Sequence, residues 1–290
     1  MADEVQLPLG TILSGEPTLP APIRPGPIRL GTSAFTADGW QGTFYPAGLK
    51  PVDFLGYYAT QFSTVEVDST FYRIPTAAMV KRWNSVTPPG FIFAAKVPQI
   101  ITHEKLLKDA AEDLKQFLGM MDLLGEKLGP LLFQFPYFKK DTFAQPDEFL
   151  ARLIPFLDTL PQGYRFAVEI RNKHFVCPPY VEALRERKIA LALIDHPYMP
   201  FVSQLFQQCD PITADFTYVR WLGDRYAIES VTKVWNKVVV DRTRELSEWA
   251  RACQLILRRG VNIFAYANNH FAGHGPATIR QFEEIFGKLV

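Results

Sequence analysis

Charged side chains recur at the ends of short apolar segments of this sequence, and their types suit acid–base chemistry. Glu66 and Glu169 each sit between aliphatic residues, and Lys96 and Arg171 occupy similar positions. Two carboxylates in different surroundings can act as general acid and general base, while neighbouring cations stabilise developing charge. We therefore predict catalytic roles for Glu66, Glu169, Lys96 and Arg171. The alternative is that each glutamate simply forms an ion pair with Arg171 or Lys96.

A second group of polar residues suits anion binding. Arg220 ends an apolar segment and could hold a phosphate or carboxylate through two parallel hydrogen bonds. Asn268, Asn269 and Gly273 follow the next apolar segment and precede a helix start, a location that often binds phosphate. The predicted ligand-binding residues are Asp68, Tyr72, Arg73, His103, Gln134, Asp195, Arg220, Asn268, Asn269 and Gly273. For the last loop, a glycine-rich turn with a structural asparagine pair is the alternative.

Metal and cofactor motifs are weak. The five histidines are scattered, and neither HExxH, a Walker loop nor GxGxxG occurs. We predict no metal ligands and no cofactor. A divalent metal is a less favoured alternative, since three bases would oppose binding of Mg²⁺ or Mn²⁺ at an oxygen-rich group comprising Glu66, Asp68, Glu169, Asp195 and His196.

The charge balance argues against a dedicated nucleic-acid-binding domain. There are 31 Lys and Arg residues against 30 Asp and Glu residues, so no overall field attracts a polyanion. Three widely spaced cysteines outside any CxxC spacing indicate reduced thiols and a cytoplasmic protein. No apolar run is long enough for a membrane span. The sequence leaves the oligomeric state open.

Short apolar segments alternate with amphipathic ones from residue 28 onward, whereas residues 1–27 hold six prolines and predict an irregular N-terminal arm. Strands are predicted at 28–33, 64–70, 91–97, 131–135, 165–171, 189–195, 216–221 and 262–269. Helices separate nearly all of them, including one at 110–128, but the sixth is reduced to about 203–208 and residues 222–240 form a long loop. Eight such units predict an α/β fold, a (β/α)₈ TIM-barrel-like domain over 28–290. An open doubly wound sheet is the alternative.

Strand periodicity predicts which side chains face the barrel interior. If the large apolar residues face the helices, then polar residues of opposite parity point inward near the carboxyl ends of their strands. The inward acids are Glu66, Asp68, Glu169 and Asp195, and the inward bases are Lys96, Arg171 and Arg220. The near balance of charge means that these groups could pair entirely with one another. The rim aromatics Trp40, Phe44 and Tyr45 could stack on a ligand or cap the barrel.

Several short motifs resemble the YecE-like family, the domain of unknown function family seventy-two, over residues 28–290. These are Gly31-Thr-Ser33, Val65-Glu-Val-Asp-Ser-Thr-Phe-Tyr72, Lys96-Val-Pro98, Leu131-Leu-Phe-Gln-Phe-Pro136, Val168-Glu-Ile-Arg171, Tyr218-Val-Arg220 and Asn268-Asn269. The resemblance implies a TIM-barrel-like fold and no established activity. This sequence departs from the family pattern at Ala34-Phe35, at Asp68 and after Arg171.

Together these features predict an enzyme of hydrolase or lyase type that binds a small phosphorylated or otherwise anionic ligand at the carboxyl-terminal rim of the barrel. A phosphoester hydrolase is one such enzyme. Two alternatives remain: a nucleic-acid-binding or nucleic-acid-processing protein, by analogy with endonuclease IV barrels, and a non-catalytic barrel with a self-paired polar cluster.

Overall fold

Eight parallel strands form a nearly closed barrel in the computed structural model, which describes residues 27–289. The strand order is β1-β8-β7-β6-β5-β4-β3-β2, so the TIM-barrel-like prediction is confirmed. The strands are β1 Ile28–Thr32, β2 Thr64–Val67, β3 Ile92–Lys96, β4 Leu128–Gln134, β5 Phe166–Glu169, β6 Ala190–Asp195, β7 Phe216–Trp221 and β8 Asn262–Ala267. The predicted arm, residues 1–27, lies outside the described residues except for Pro27.

Helices alternate with the strands and begin at recognisable signals. Thr76 caps α2 by accepting a hydrogen bond from the Met79 N–H, and prolines occupy the first turn of α4 and α5. The helices are α1 Phe54–Gln61, α2 Ala77–Val86, α3 Ala111–Met121, α4 Pro146–Asp158, α5 Pro178–Glu186, α6 Val202–Gln208, α7 Arg225–Val231, α8 Thr243–Arg258, α9 Asn269–Ala272 and α10 Gly275–Gly287. The described part of the chain has no helix whose length and apolar character would allow it to cross a membrane.

Two sequence predictions of local structure are wrong. The helix expected over 110–128 ends at Met121, where a 3₁₀ segment Asp122–Lys127 with Gly125 at φ +56° leads into β4 three residues earlier than expected. The loop expected over 222–240 contains α7, which begins where the Asp224 side chain accepts a hydrogen bond from the Ala227 N–H. The short α6, by contrast, matches the reduced sixth helix.

The barrel interior is a separate apolar core beneath the polar side chains of the rim. Alanines, larger aliphatic residues and aromatic residues fill it, as the narrow interior of an eight-stranded barrel allows. Its members are Ile92, Ala94, Leu132, Ala167, Ala190, Ala192, Ile194, Phe216, Tyr218, Leu222, Phe264 and Tyr266. The residues of opposite parity, such as Val65, Phe93 and Leu193, belong to the larger core between strands and helices. The interior is therefore filled at its base, and only the rim is open to polar chemistry.

One side chain spans the gap between β1 and β2, the two strands that have no ladder between them. The hydroxyl of Tyr58, on α1, accepts a hydrogen bond from the Thr32 N–H at 2.8 Å and donates one to the Thr64 carbonyl at 3.2 Å. The tyrosine is fully buried. Its hydroxyl thus supplies a hydrogen-bond acceptor to β1 and a donor to β2 along the edge where the two strands do not pair, which we call the seam.

Replacing Tyr58 with phenylalanine is expected to lower the free energy of unfolding by about 2 kcal/mol, because two buried backbone groups lose their partner. Chemical denaturation measures this loss. Tyr57→Phe is the matched control, since the adjacent Tyr57 is only half-buried on the same helix. Equal losses in both variants would contradict the role of the Tyr58 hydroxyl in the seam.

Candidate functional site

The centre of the polar cluster is an arginine held between two glutamates. Arg220 Nη2 donates to Glu66 Oε1 and Arg220 Nη1 donates to Glu169 Oε2, both at 2.7 Å. Both glutamates are 0% exposed and the arginine is 2% exposed. Strands β2, β5 and β7 supply the three side chains at inward-facing positions, as their parity predicts. The arginine therefore ties three sides of the barrel together.

Tyrosines extend this network toward the barrel interior. The Tyr218 hydroxyl donates to Glu66 Oε2 at 2.5 Å, and the Tyr266 hydroxyl lies 2.9 Å from Thr64 Oγ1. The two tyrosine rings pack with centroids 5.1 Å apart. Glu66 is consequently bonded on both oxygens by protein groups, one neutral and one cationic.

The surroundings push the pKa values of the two buried glutamates in opposite directions. Burial raises the pKa of Glu66 above its ordinary value, and the opposing attraction of Arg220 does not cancel this effect. Burial also acts on Glu169, but Arg220 and Arg171 together outweigh it and lower its pKa to about 2. The difference arises because Glu169 accepts from two arginines, whereas Asp68 lies near Glu66 and repels its charge.

Lys96 lies at the end of β3 and is nearly buried. Its Nζ is 2.9 Å from Asp68 Oδ1 and 3.9 Å from the centroid of the Phe71 ring. Asp68 and Phe71 belong to a 3₁₀ turn, Asp68–Phe71, that follows β2, so Asp68 is not on the predicted strand. The Asp68 side chain is 31% exposed against 7% for that of Lys96, which places this ion pair at the edge of the site.

Arg171 lies two residues beyond the end of β5 and is the more open of the site's arginines. Its Nε donates to Glu169 Oε1 at 3.0 Å, and its side chain is 28% exposed. Burial lowers the pKa of His103 to about 4, and the cationic groups of Lys96 and Arg171 add to this effect. Burial and the charge of Arg171 likewise lower the pKa of His196 to about 4. Two neutral imidazoles, His103 and His196, therefore lie near two cations, Lys96 and Arg171. We call the part of the rim that these four residues form the mouth of the barrel.

His103 presents one nitrogen to the protein and one away from it. Its Nδ1 lies 2.9 Å from Thr102 Oγ1, and the ring packs edge-on against Phe71 at 4.9 Å between centroids. Within residues 27–289, no hydrogen-bond partner lies on Nε2. The half-buried imidazole can accept or donate a proton at Nε2, according to the tautomer that the contact with Thr102 selects.

The asparagine pair after β8 is occupied with local structure. Asn268 Oδ1 accepts from the His270 N–H and so caps α9, while Asn269 Oδ1 accepts from Trp40 Nε1 and from the Gly275 N–H. Gly273 ends α9 at φ +105°, where a Cβ would lie 2.7 Å from the Lys237 carbonyl. These contacts match the structural alternative for this loop. The helix that follows is capped by His274.

The remaining predicted residues lie at different depths. Gln134 points inward and donates to the Phe135 carbonyl, whereas Tyr72 and Arg73 are exposed beside the 3₁₀ turn. Trp40 and Tyr45 are buried in the outer core, so they cap the barrel and are not free to stack on a ligand.

Asp195 does not face the interior, and its placement among the inward acids is wrong. It shares the parity of Leu191 and Leu193, and its Oδ2 accepts a hydrogen bond from Trp249 Nε1 of α8 at 2.9 Å. Burial raises its pKa. The inward charges thus number three acids and three bases, and each has a neighbour of opposite charge.

Two features of the site were missed by the sequence reasoning. Tyr218 bonds to Glu66, and its position two residues before Arg220 on the same face could have indicated this. Tyr137 and Tyr198 are each 54% exposed, and both follow a proline just past a strand end. Among the described residues, no three His, Cys, Asp or Glu side chains are grouped so that they could hold a metal ion.

Residues 29–289 match the model of a protein family described as "Protein of unknown function DUF72". The chain belongs to this family. Among other members, the UPF0759 protein YunF of Bacillus subtilis is 29% identical over 270 residues, which cover 85% of this chain and 92% of YunF. The UPF0759 protein YecE of Escherichia coli K12 is 35% identical over 118 residues, so the chain matches only 41% of the length of YecE.

A crystal structure of a DUF72 family protein from Thermotoga maritima supports the fold directly. It superposes with a TM-score of 0.68 at 26% identity, and the aligned region covers 90% of this chain and 98% of the Thermotoga maritima chain. The description of the DUF72 family states no activity, so the chemistry of the site has to be argued from its geometry.

Proposed function

We propose that this DUF72 protein is an enzyme that binds a small phosphorylated or otherwise anionic substrate at the mouth of the barrel and transfers a proton to or from it. The observation that carries this proposal is the grouping of Lys96, Arg171 and His103. Two cations that are held by acidic partners lie beside a neutral imidazole with a free nitrogen. This combination is suited to holding an anion and exchanging a proton with it.

In this proposal Arg220 does not contact the ligand directly. Both of its terminal nitrogens already donate to buried glutamates, so the ligand would meet Arg171 and Lys96 instead. Glu66 and Glu169 are fully buried behind these cations. We propose that the two glutamates act through the arginines by fixing their positions, while His103 exchanges the proton.

The mouth also gives a physical reason for anion selectivity. An anion placed between Lys96 and Arg171 would relieve the repulsion that those cations exert on a protonated His103. Substrate binding would therefore raise the pKa of His103 toward neutrality, where an imidazole is an effective acid or base. The site would be inert when empty and competent when filled.

A self-paired plug is the competing function, and one observation favours it. Glu66, Glu169 and Asp68 each have a cationic partner within 3.0 Å. A plug requires no unpaired hydrogen-bond donor at the mouth, whereas the enzyme requires that Arg171 keep donors available for a ligand. Arg171 uses only Nε in its contact with Glu169, and its terminal nitrogens have no partner among the described residues.

Inorganic phosphate is expected to bind the wild-type protein and to raise its melting temperature, and Arg171→Met is expected to weaken that binding about tenfold, since a charge-assisted contact is lost. Isothermal titration calorimetry gives both affinities. Release of phosphate from a panel of phosphomonoesters measures turnover, which is expected to fall about 100-fold in His103→Ala.

Arg187→Met is the matched control, because Arg187 is also a partly buried arginine paired with a carboxylate, Asp158, but lies where α5 ends, away from the mouth. It should bind phosphate like the wild type. Phosphate binding that is absent from the wild type, or equal in Arg171→Met, would support the plug over the enzyme.

A further inference from the structure

A cavity of about 730 Å³ lies beside the mouth, between the loops that follow β4, β5 and β6. Tyr137 comes from the first loop, Lys173 from the second and Tyr198 from the third, while Gln204 and Gln208 project from α6. The volume is within the range of cavities that bind organic ligands of moderate size. Neither Lys96, His103 nor Arg171 lines it.

Two exposed tyrosines form a corner in this cavity. The rings of Tyr137 and Tyr198 are 5.8 Å apart between centroids and inclined at 64°. Each residue is 54% exposed, so about half of each side chain is open to solvent. A planar ring can lie on the face of one tyrosine with its edge against the other, an arrangement that aromatic pairs favour.

The polar groups of the cavity include two carboxamides, the Lys173 ammonium group and the His174 ring. Gln204 and Gln208 are four residues apart on α6 and therefore lie on the same side of the helix. Gln204 Oε1 accepts from the Phe201 N–H, which leaves its amide nitrogen free to donate, and Gln208 has no partner within residues 27–289. Carboxamides can match the donor and acceptor edge of a nucleobase.

A sugar ring fits this lining less well. Sugars present several hydroxyl donors, and a single carboxylate can accept more than one of them. The lining contains no Asp or Glu among the described residues, and Met199, Pro197 and Pro200 make its remaining wall apolar. The composition thus favours a heteroaromatic ring.

His196, at the mouth, contacts Tyr198 of the cavity lining. The Tyr198 N–H donates to His196 Nδ1 at 3.2 Å, and the two rings pack with centroids 5.1 Å apart. On its other side His196 is near enough to Arg171 for that charge to act on it. Lys173 is two residues from Arg171 along the same loop. One molecule could therefore occupy both places.

We propose that this cavity binds the base of a nucleotide whose phosphate is held at the mouth by Arg171 and Lys96. This inference rests on the proposed function for the position of the phosphate, but the base site stands on the cavity alone. It makes the substrate class a nucleoside monophosphate and gives the loops after β4 and β6 the role of selecting it.

The test is isothermal titration calorimetry of the full chain with AMP, GMP, CMP, UMP, their nucleosides and ribose 5-phosphate. The best nucleoside monophosphate is expected to bind at least about tenfold more tightly than ribose 5-phosphate, since stacking and edge contacts add to the phosphate contact. Tyr198→Ala and Tyr137→Ala should reduce this advantage to about threefold or less while ribose 5-phosphate binds as before.

Tyr226→Ala is the matched control, because Tyr226 is an exposed tyrosine on α7 that does not line the cavity. It should bind every probe like the wild type. Because Tyr137 and Tyr198 are half-exposed, their removal is not expected to disturb folding, which far-ultraviolet circular dichroism checks.

The outcomes separate the two proposals. Nucleotides that bind no more tightly than ribose 5-phosphate, or that keep their advantage in both tyrosine variants, would overturn the base site while leaving the anionic mouth intact. Nucleosides whose binding depends on Tyr198, without any binding of phosphate or ribose 5-phosphate, would support the base site and overturn the mouth. Failure of every probe to bind would overturn both.

Discussion

Arg220→Met is expected to lower the free energy of unfolding by about 3–5 kcal/mol, the cost of leaving buried charge without a partner. Arg220 is the only described cation in hydrogen-bond contact with Glu66, and it shares Glu169 with Arg171. Methionine fills part of the space but offers no donor. Urea denaturation at neutral pH measures the loss.

The pH dependence of this loss has a definite sign. In the wild type, the pKa of Glu169 is about 2, below that of the unfolded chain, so its stabilising contribution is present above about pH 5 and is lost as the pH falls through about 2. In Arg220→Met, Glu66 loses its cationic partner, so burial would raise its pKa further above the unfolded value, whereas Glu169 keeps Arg171. The variant should therefore regain stability as the pH falls from neutral toward the unfolded pKa of a glutamate. Glu66, whose pKa is raised already, gives the wild type a weaker slope of the same sign.

The triple variant Glu66→Gln, Glu169→Gln, Arg220→Met should recover most of the stability, because it removes the charges together with their partner. Arg187→Met controls for the loss of an arginine and should change the free energy of unfolding by less than about 1 kcal/mol, since its partner Asp158 is exposed to solvent. If Arg220→Met were no less stable than Arg187→Met, the buried pairing would not stabilise the barrel.

The positions of Glu66, Glu169 and Arg220 could be predicted from sequence because strand geometry alone fixes them. Alternation of side chains along a strand needs no knowledge of neighbouring elements, and large apolar residues on one face show which face packs on the helices. The same rule predicted Lys96 and Gln134. Parity could also have indicated Tyr218, which lies on the inward face below Arg220.

Parity fails where a strand ends or where both of its faces are apolar. Strand β6 is apolar on both faces before Asp195, so its alternation is weak, and the parity that Asp195 shares with Leu191 and Leu193 was not decisive for its direction toward Trp249. Arg171 and Asp68 lie beyond their strands, where the local turn decides their direction. The asparagine pair illustrates a third limit: capping and ligand binding use the same side-chain oxygens, so sequence alone does not separate them.

The seam between β1 and β2 depends on contacts far apart in sequence, and it positions Glu66. Gly31 on β1 approaches β2 so closely that a Cβ added to it would lie 2.1 Å from the Thr64 carbonyl oxygen and 3.1 Å from the Tyr58 hydroxyl. Thr64 is two residues before Glu66 on the same face of β2. A displacement of β2 at Thr64 would therefore move Glu66 relative to Arg220.

Gly31→Ala is accordingly expected to cost about 3 kcal/mol of unfolding free energy, because the new methyl group meets backbone atoms that cannot turn away as a side chain could. Phosphate binding should weaken with it, since the strand that carries Glu66 shifts and Arg220 loses alignment. Gly119→Ala on α3 is the matched control: no atom lies within 4 Å of its added Cβ, and alanine favours a helix over glycine by about 1 kcal/mol, so that variant should be more stable than the wild type. Calorimetric melting of the two variants side by side measures the difference. A Gly31→Ala protein as stable as Gly119→Ala would show that β1 and β2 can move apart at little cost and that their close contact does not position Glu66.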